Sequence, residues 1–167
     1  ILQELFTRDG IGTMISVDSL DNLRPAKIDD VGALLSIIEP LERQGILVAR
    51  PRALIEREVE RFFLAEHDGQ IIGCAALYPF PEANKAELAC LAVNPDYRRE
   101  GYGERLMKAV EKAAKDQGIN TLFVLTTRTA AWFLERGFRA ATIADLPEKK
   151  QALYNFERAS QVYVKQI

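Results

Sequence analysis

The chain has 167 residues, enough for one globular domain with a hydrophobic core of its own. Hydrophobic residues make up 48% and charged ones 28%, which excludes a disordered or collagen-like chain. A formal net charge of −2 argues against a general nucleic-acid binder, which carries a basic excess. No run approaches the roughly 18 consecutive apolar residues of a membrane span, and no secretory leader is visible.

Residues 1–20 read as a tail or linker remnant ahead of one domain over 21–167. Asp9-Gly10 and Gly12 mark a turn in the tail, and no GK[ST] follows, so a phosphate-gripping P-loop is excluded there. The chain opens on Ile1 and not on methionine, so it reads as a piece of something longer. LRPAK (23–27) suits an edge strand, because Pro25 would break a central ladder. Asp29 or Asp30 is placed to cap a helix in which Val31, Leu34, Leu35 and Ile38 recur at helical spacing; Pro40 is a candidate kink and Gly45 a stop. A second helix is expected from RPRALIEREVERF, with Pro51 at its first turn.

The period then changes. FFLAEHD, a DGQ turn and IIGCAALYPF predict a β-hairpin closed by Pro79 and Pro81. AELACLAV (86–93) is apolar on both faces and is expected at the centre of the sheet. After the loop NPDYRREG comes a helix with an apolar face of Leu106, Val110, Ala113 and Ala114, wet-side pairs Glu104–Lys108 and Glu111–Lys115, and Gly118 beyond its end. TLFVLTT reads as a buried strand, TAAWFLERGF as a short helix stopped by Gly137, FRAATIA and RASQVYVKQI as late strands around a helical LPEKKQALYN. The result is a mixed, mostly antiparallel α/β sheet with helices on both faces, and a parallel central pair joined through a helix.

Cys74 and Cys90 lie in strand-like apolar runs and read as buried free thiols, which points to a reducing compartment and hence the cytoplasm. His67 has no Cys or His at ligand spacing, so it reads as a strand-end surface residue, and no metal is expected.

The most informative stretch is the loop before the 102–116 helix. A helix N-terminus presents free N–H groups and partial positive charge. Gly101 and Gly103 would let a ligand approach the backbone, and Arg98 and Arg99 add charge, which together suit a pyrophosphate. A glycine-containing turn with a solvated basic rim accounts for the same residues. The dinucleotide pattern GxGxxG is not met, since Leu106 stands where its third glycine would be.

Arg98-Arg99-Glu100-Gly101-Tyr102-Gly103 forms R-x-x-G-x-G, and with LAVNPDYR and WFLERGF it resembles the acetyl-CoA loop of the GNAT family of N-acetyltransferases. ELFTRDGIGT, QGILV, AALYPFPE, ELACLAV and LFVLTTR more narrowly resemble the C-terminal acetyltransferase domains of the bacterial N-acetylglutamate synthases. The resemblance implies the GNAT fold with a splayed parallel pair, acetyl-CoA as co-substrate, and L-glutamate as the amine acetylated in arginine biosynthesis. It also implies a homo-oligomer in a longer chain, in which an arginine-binding amino-acid-kinase-like domain precedes this one.

Carried over residue by residue, it implies that the strand backbone at Leu91, Ala92 and Val93 meets the pantetheine arm. The amides of residues 98–103 hold the diphosphate. Glu87 is the candidate base, acting through a water, since a buried carboxylate is a better proton acceptor than a solvated one. A solvated strand-start carboxylate is the plainer alternative. The family's tyrosine acid is replaced by Phe133; the resemblance offers Thr126 instead, as a hydrogen-bond donor, with Tyr154 as a reserve. Val48, Arg50, Cys90, Arg158 and Ser160 match positions that bind the substrate, the arginines gripping its carboxylates. On spacing alone each arginine reads as surface charge. A relative acting on another amine, such as a protein N-terminus or a polyamine, and a non-catalytic acyl-CoA-binding module stay open beside the glutamate enzyme.

Overall fold

The structure, a computed structural model, describes residues 21–153 and 160–167. The expected tail over 1–20, Tyr154 and Arg158 lie outside the described residues. Seven strands of the described chain form one sheet: β1 (Asp21–Pro25), β2 (Phe62–His67), β3 (Gln70–Phe80), β4 (Lys85–Val93), β5 (Thr121–Thr126), β6 (Arg139–Ala141) and β7 (Gln161–Gln166), in the order β1-β2-β3-β4-β5-β7-β6. Every neighbouring pair is antiparallel except β4–β5. The helices are α1 (Val31–Arg43), α2 (Arg52–Arg57), α3 (Tyr102–Asp116), α4 (Ala130–Leu134) and α5 (Glu148–Leu153).

β1 is the edge strand that Pro25 demands. The β2–β3 hairpin turns through Asp68 and Gly69, both with positive φ (54° and 80°), the conformation a two-residue hairpin needs. β3 runs through Pro79 and ends at Phe80, just ahead of Pro81. α1 continues past Pro40 to Arg43. The expected second helix is shorter, six residues followed by a 3-10 turn at Val59–Arg61.

Three expectations are corrected. Asp30 does not cap α1 with its side chain: the carboxylate accepts from the Lys27 N–H (2.7 Å) and two guanidinium nitrogens of Arg24 (both 2.9 Å), stapling β1 to the turn ahead of the helix. Glu111 is not on the wet side with Lys115; its carboxylate lies 2.7 Å from the Lys165 ammonium of β7. His67 is half-buried, with Nδ1 3.1 Å from the Tyr102 hydroxyl beneath the glycine loop.

The core is asymmetric about the sheet. On the α3 face one cluster runs across the whole sheet, from Ala65 and Ile72 through Leu88, Leu106, Val110 and Leu122 to Tyr163. On the other face the core is broken. One cluster joins α1 and α2 to β2, β3 and β4 through Leu34, Ile38, Ile55, Phe62, Leu64 and Ala89. Another gathers Phe123, Leu146, Val162 and Val164 over β5 and β7. The break between them falls along the β4–β5 seam.

Candidate active site

The β4–β5 pairing lasts for only three residues on each strand: Lys85 with Thr121, Ala86 with Leu122, Glu87 with Phe123. Its start is pinned by the Asn120 N–H, which donates to Asn84 Oδ1 (3.1 Å). Beyond Glu87 the two strands carry no further pairing, and a cavity of about 310 Å³ lies between them, lined by Leu88–Leu91 on one side and Val124–Thr126 on the other. Parallel strands that separate leave N–H and C=O groups facing the gap, a ladder edge inside the molecule.

A bulge shapes the β4 wall. Cys74 pairs with Ala92 and Ala76 with Ala89, so Cys90 and Leu91 together face the single residue Ala75. Cys90 takes a φ of +54°, a conformation rare for any side-chain-bearing residue, and strain of that kind concentrates at functional positions. The Cys90 thiol itself is neutral: burial pushes it up to about 11, and the Cys74 thiol, which donates to the Cys90 carbonyl (3.3 Å), is also raised by burial. Both cysteines are free, as expected.

The cavity brings together seven of the residues singled out in the sequence: Val48, Arg50, Glu87, Cys90, Leu91, Thr126 and Ser160. Val48 and Arg50 come from the loop after α1, where the Arg50 N–H donates to Glu42 (2.9 Å) and a guanidinium N–H donates to the Val48 carbonyl (3.2 Å). The Arg50 guanidinium also sits over the Tyr78 ring, 5.8 Å from its centre. Burial works against its charge, but its neighbours, with Glu87 the charged one among them, outweigh this and hold it more firmly protonated than usual. Tyr78 donates to Glu58 (2.8 Å), and burial chiefly lifts its phenol well above the ordinary range, so it remains a neutral donor.

The Thr126 hydroxyl accepts from the N–H groups of Thr129 (3.0 Å) and Arg128 (3.3 Å), and stands 2.7 Å from the Thr129 hydroxyl. With its lone pairs engaged, Thr126 is set up as a donor, and Thr129 continues the line of hydroxyls along the cavity. Thr129 and Lys150 escaped the sequence reading. Lys150 is the second cation of the cavity, and its ammonium lies 2.9 Å from Glu87 Oε1. Neither carries a local motif; only the fold brings them to the seam.

The expected phosphate loop lies at the N-terminus of α3, outside the lining of this cavity. Gly101 has φ +83° with nothing within 4 Å of the place a Cβ would take, so its αL geometry explains the glycine. Gly103 is limited by proximity: a Cβ there would come 3.2 Å from the Trp132 ring of α4. Arg98, Arg99 and Glu100 are exposed, whereas Tyr102 is buried in the α3-face core. The N–H groups of Arg98 and Glu100 close turns onto Pro95 (3.4 Å) and Tyr97 (3.3 Å). Ala92 is buried against the α1 face and Val93 packs on the α3 face, so what these two can offer the seam is backbone. Among the described residues, no group of three or more His, Cys, Asp or Glu could hold a metal ion, and no helix is long and apolar enough to cross a membrane.

A sheet opened at one parallel pair, with a glycine loop and helix N-terminus following the central strand, is the arrangement that the sequence resemblance led us to expect. Residues 32–138 match the model of the acetyltransferase (GNAT) family, and the chain belongs to that family. It is 52% identical over all 167 residues to an amino-acid acetyltransferase of Pseudomonas aeruginosa and 53% identical to one of Azotobacter vinelandii; in each case it spans 39% of the relative's length. Among solved structures it resembles N-acetylglutamate synthase from Neisseria gonorrhoeae in complex with coenzyme A and N-acetyl-glutamate, with a TM-score of 0.85 and 42% identity over 87% of this chain and 35% of that one.

Proposed function

We propose that the chain transfers the acetyl group of acetyl-CoA to the α-amino group of L-glutamate, giving N-acetyl-L-glutamate and CoA, the first step of arginine biosynthesis. The observation that carries this reading is the cavity itself. Among its described lining residues one carboxylate, Glu87, faces two cations, Arg50 and Lys150, which suits a substrate with two carboxylates and one amine. The relative solved with N-acetyl-glutamate supports the same substrate. A polyamine would call for the opposite balance of charge.

In this reading the amine proton goes to Glu87 through a water, the freed nitrogen attacks the thioester carbon, and the carbon–sulfur bond breaks as the tetrahedral species collapses. Backbone N–H at the Cys90–Leu91 bulge polarises the carbonyl oxygen, held in place by strain already built into the strand. The Thr126–Thr129 hydroxyls donate toward the departing sulfur, with solvent as the final proton source. Arg50, Ser160, the main chain at Val48 and Cys90, and Arg158 hold the glutamate carboxylates. The pantetheine arm follows Leu91–Val93, and the diphosphate rests on the α3 N-terminus, with the N–H groups of Arg99 and residues 101–103 better disposed than those of Arg98 and Glu100. The whole protein carries a preceding amino-acid-kinase-like domain that binds arginine, assembles as a homo-oligomer and works in the cytoplasm; the Neisseria synthase has also been solved with coenzyme A and L-arginine.

The test is thiol release from acetyl-CoA against glutamate, glutamine, other amino acids and polyamines. Glutamate should exceed glutamine by about a hundredfold in kcat/KM, since a site built around a charged group rejects its neutral analogue. Preference for a polyamine, or CoA binding without turnover of any amine, would replace this reading with one of its alternatives.

A further inference from the structure

The Lys150–Glu87 contact has no part in the reaction as derived above. Its atoms are 2.9 Å apart, and the two side chains are only 19% and 9% exposed. An ion pair so sheltered adds little stability over an apolar pair of the same size, because desolvating both charges offsets their attraction. Its place in the cavity therefore calls for a role other than holding the fold.

The element that carries Lys150 is firmly seated. Leu146 is buried in the cluster over β5 and β7, and its carbonyl accepts from the Gln151 amide (2.7 Å). The Lys150 and Gln151 N–H groups both donate to the Pro147 carbonyl (2.9 Å each), and the Lys85 ammonium donates to the Asp145 carbonyl just upstream. The ammonium is thus delivered to Glu87 from the first turn of α5. Arg50, the other cation among the described lining residues, also lies on the Val48 carbonyl and the Tyr78 ring.

We infer that Lys150 is a positioning residue for the acetyl transfer: it fixes the Glu87 carboxylate through one oxygen, so that the carboxylate stands ready to take the amine proton. The inference rests on Glu87 being the proton acceptor proposed above. Truncating Lys150 leaves Glu87 free to rotate in the cavity, and misplacing a reacting group by about an ångström costs on the order of a hundredfold in rate.

The experiment is a double-mutant cycle on the full chain, with kcat from thiol release, CoA affinity from calorimetry and a melting curve for each variant. Lys150→Met should lower kcat by about 10- to 100-fold with the KM for acetyl-CoA unchanged, and Lys150→Arg, which keeps the charge, should recover most of the loss. In a Glu87→Gln background, Lys150→Met should change kcat by less than about twofold, because the lysine acts only through that carboxylate. Additive losses, or a loss in Lys150→Met that follows lower melting temperature and CoA affinity, would overturn the assignment and leave Glu87 in place. Near-normal turnover in Glu87→Gln alone would remove Glu87 as the acceptor and the role of Lys150 with it.

Discussion

Asp30 shows how much one carboxylate can do away from the site. Its bonds to Arg24 foremost, together with the Lys27 N–H, hold its carboxyl down at about 2, while Arg24 also reaches Glu66 on β2 (3.3 Å). A carboxyl with a lowered folded-state value gives stability that is complete above the ordinary value near 4 and is lost as pH falls toward 2, because over that window the unfolded chain binds more protons. Asp30→Asn should therefore cost about 1–2 kcal/mol at neutral pH, and the gap between variant and parent should close as pH drops from about 4 to about 2. Urea melts at stepped pH would show it; a gap constant down to pH 2 would mean that the pairing contributes nothing. Individual residues were legible in the sequence only where a local pattern carried them. Arg50, Glu87 and Ser160 came with motifs, and the cavity unites them. Lys150 did not, since its role depends on a turn far along the chain being laid against β4. Asp30 looked like a helix cap because nothing local announces the reach of Arg24.

At the scale of elements, the hairpin and the central place of β4 followed from apolar runs and turn chemistry, since a two-sided apolar segment such as AELACLAV fits only the sheet interior. What that pattern could not show was where β4 and β5 stop pairing. That depends on three register pairs and a bulge at Cys90, features of contact between strands and not of either strand alone. For the same reason the Glu111–Lys115 pair was misread, because helical spacing is blind to Lys165 arriving from β7. The α3 N-terminus offers the sharpest test at this scale. Gly101→Ala has room for its methyl group but must hold φ near +83°, at a cost of about 1–2 kcal/mol. If the turn relaxes instead, the N–H groups around it are re-aimed. CoA affinity should then fall by roughly tenfold while the strands stay intact, a 1.4 kcal/mol effect. Calorimetry with CoA and far-UV dichroism separate the two; unchanged affinity would mean that the phosphates are held elsewhere.

The whole molecule is a sheet of two parts, β1–β4 and β5-β7-β6, hinged on three residue pairs. One core cluster bridges the parts on the α3 face, but on the opposite face the cluster under α1 and α2 and the cluster over β5 and β7 remain separate. A ligand seated along the seam supplies the contacts that the split sheet lacks, so binding and stability are linked more locally here than in a protein with a continuous core. CoA at about a hundred times its Kd should stabilise the fold by about 2.7 kcal/mol, a rise in Tm of about 5–10 °C for a chain of this length. The distribution of that gain is the discriminating measurement. Under hydrogen exchange the amides of Leu91–Val93, the far end of β5 and the α3 N-terminus should slow most, while those pairing β1 with β2 at the outer edge should hardly change. Equal slowing across the sheet would indicate a molecule that tightens as one unit, in which the β4–β5 gap is incidental. Slowing confined to the seam would make the opening of the two strands the element that acetyl-CoA completes.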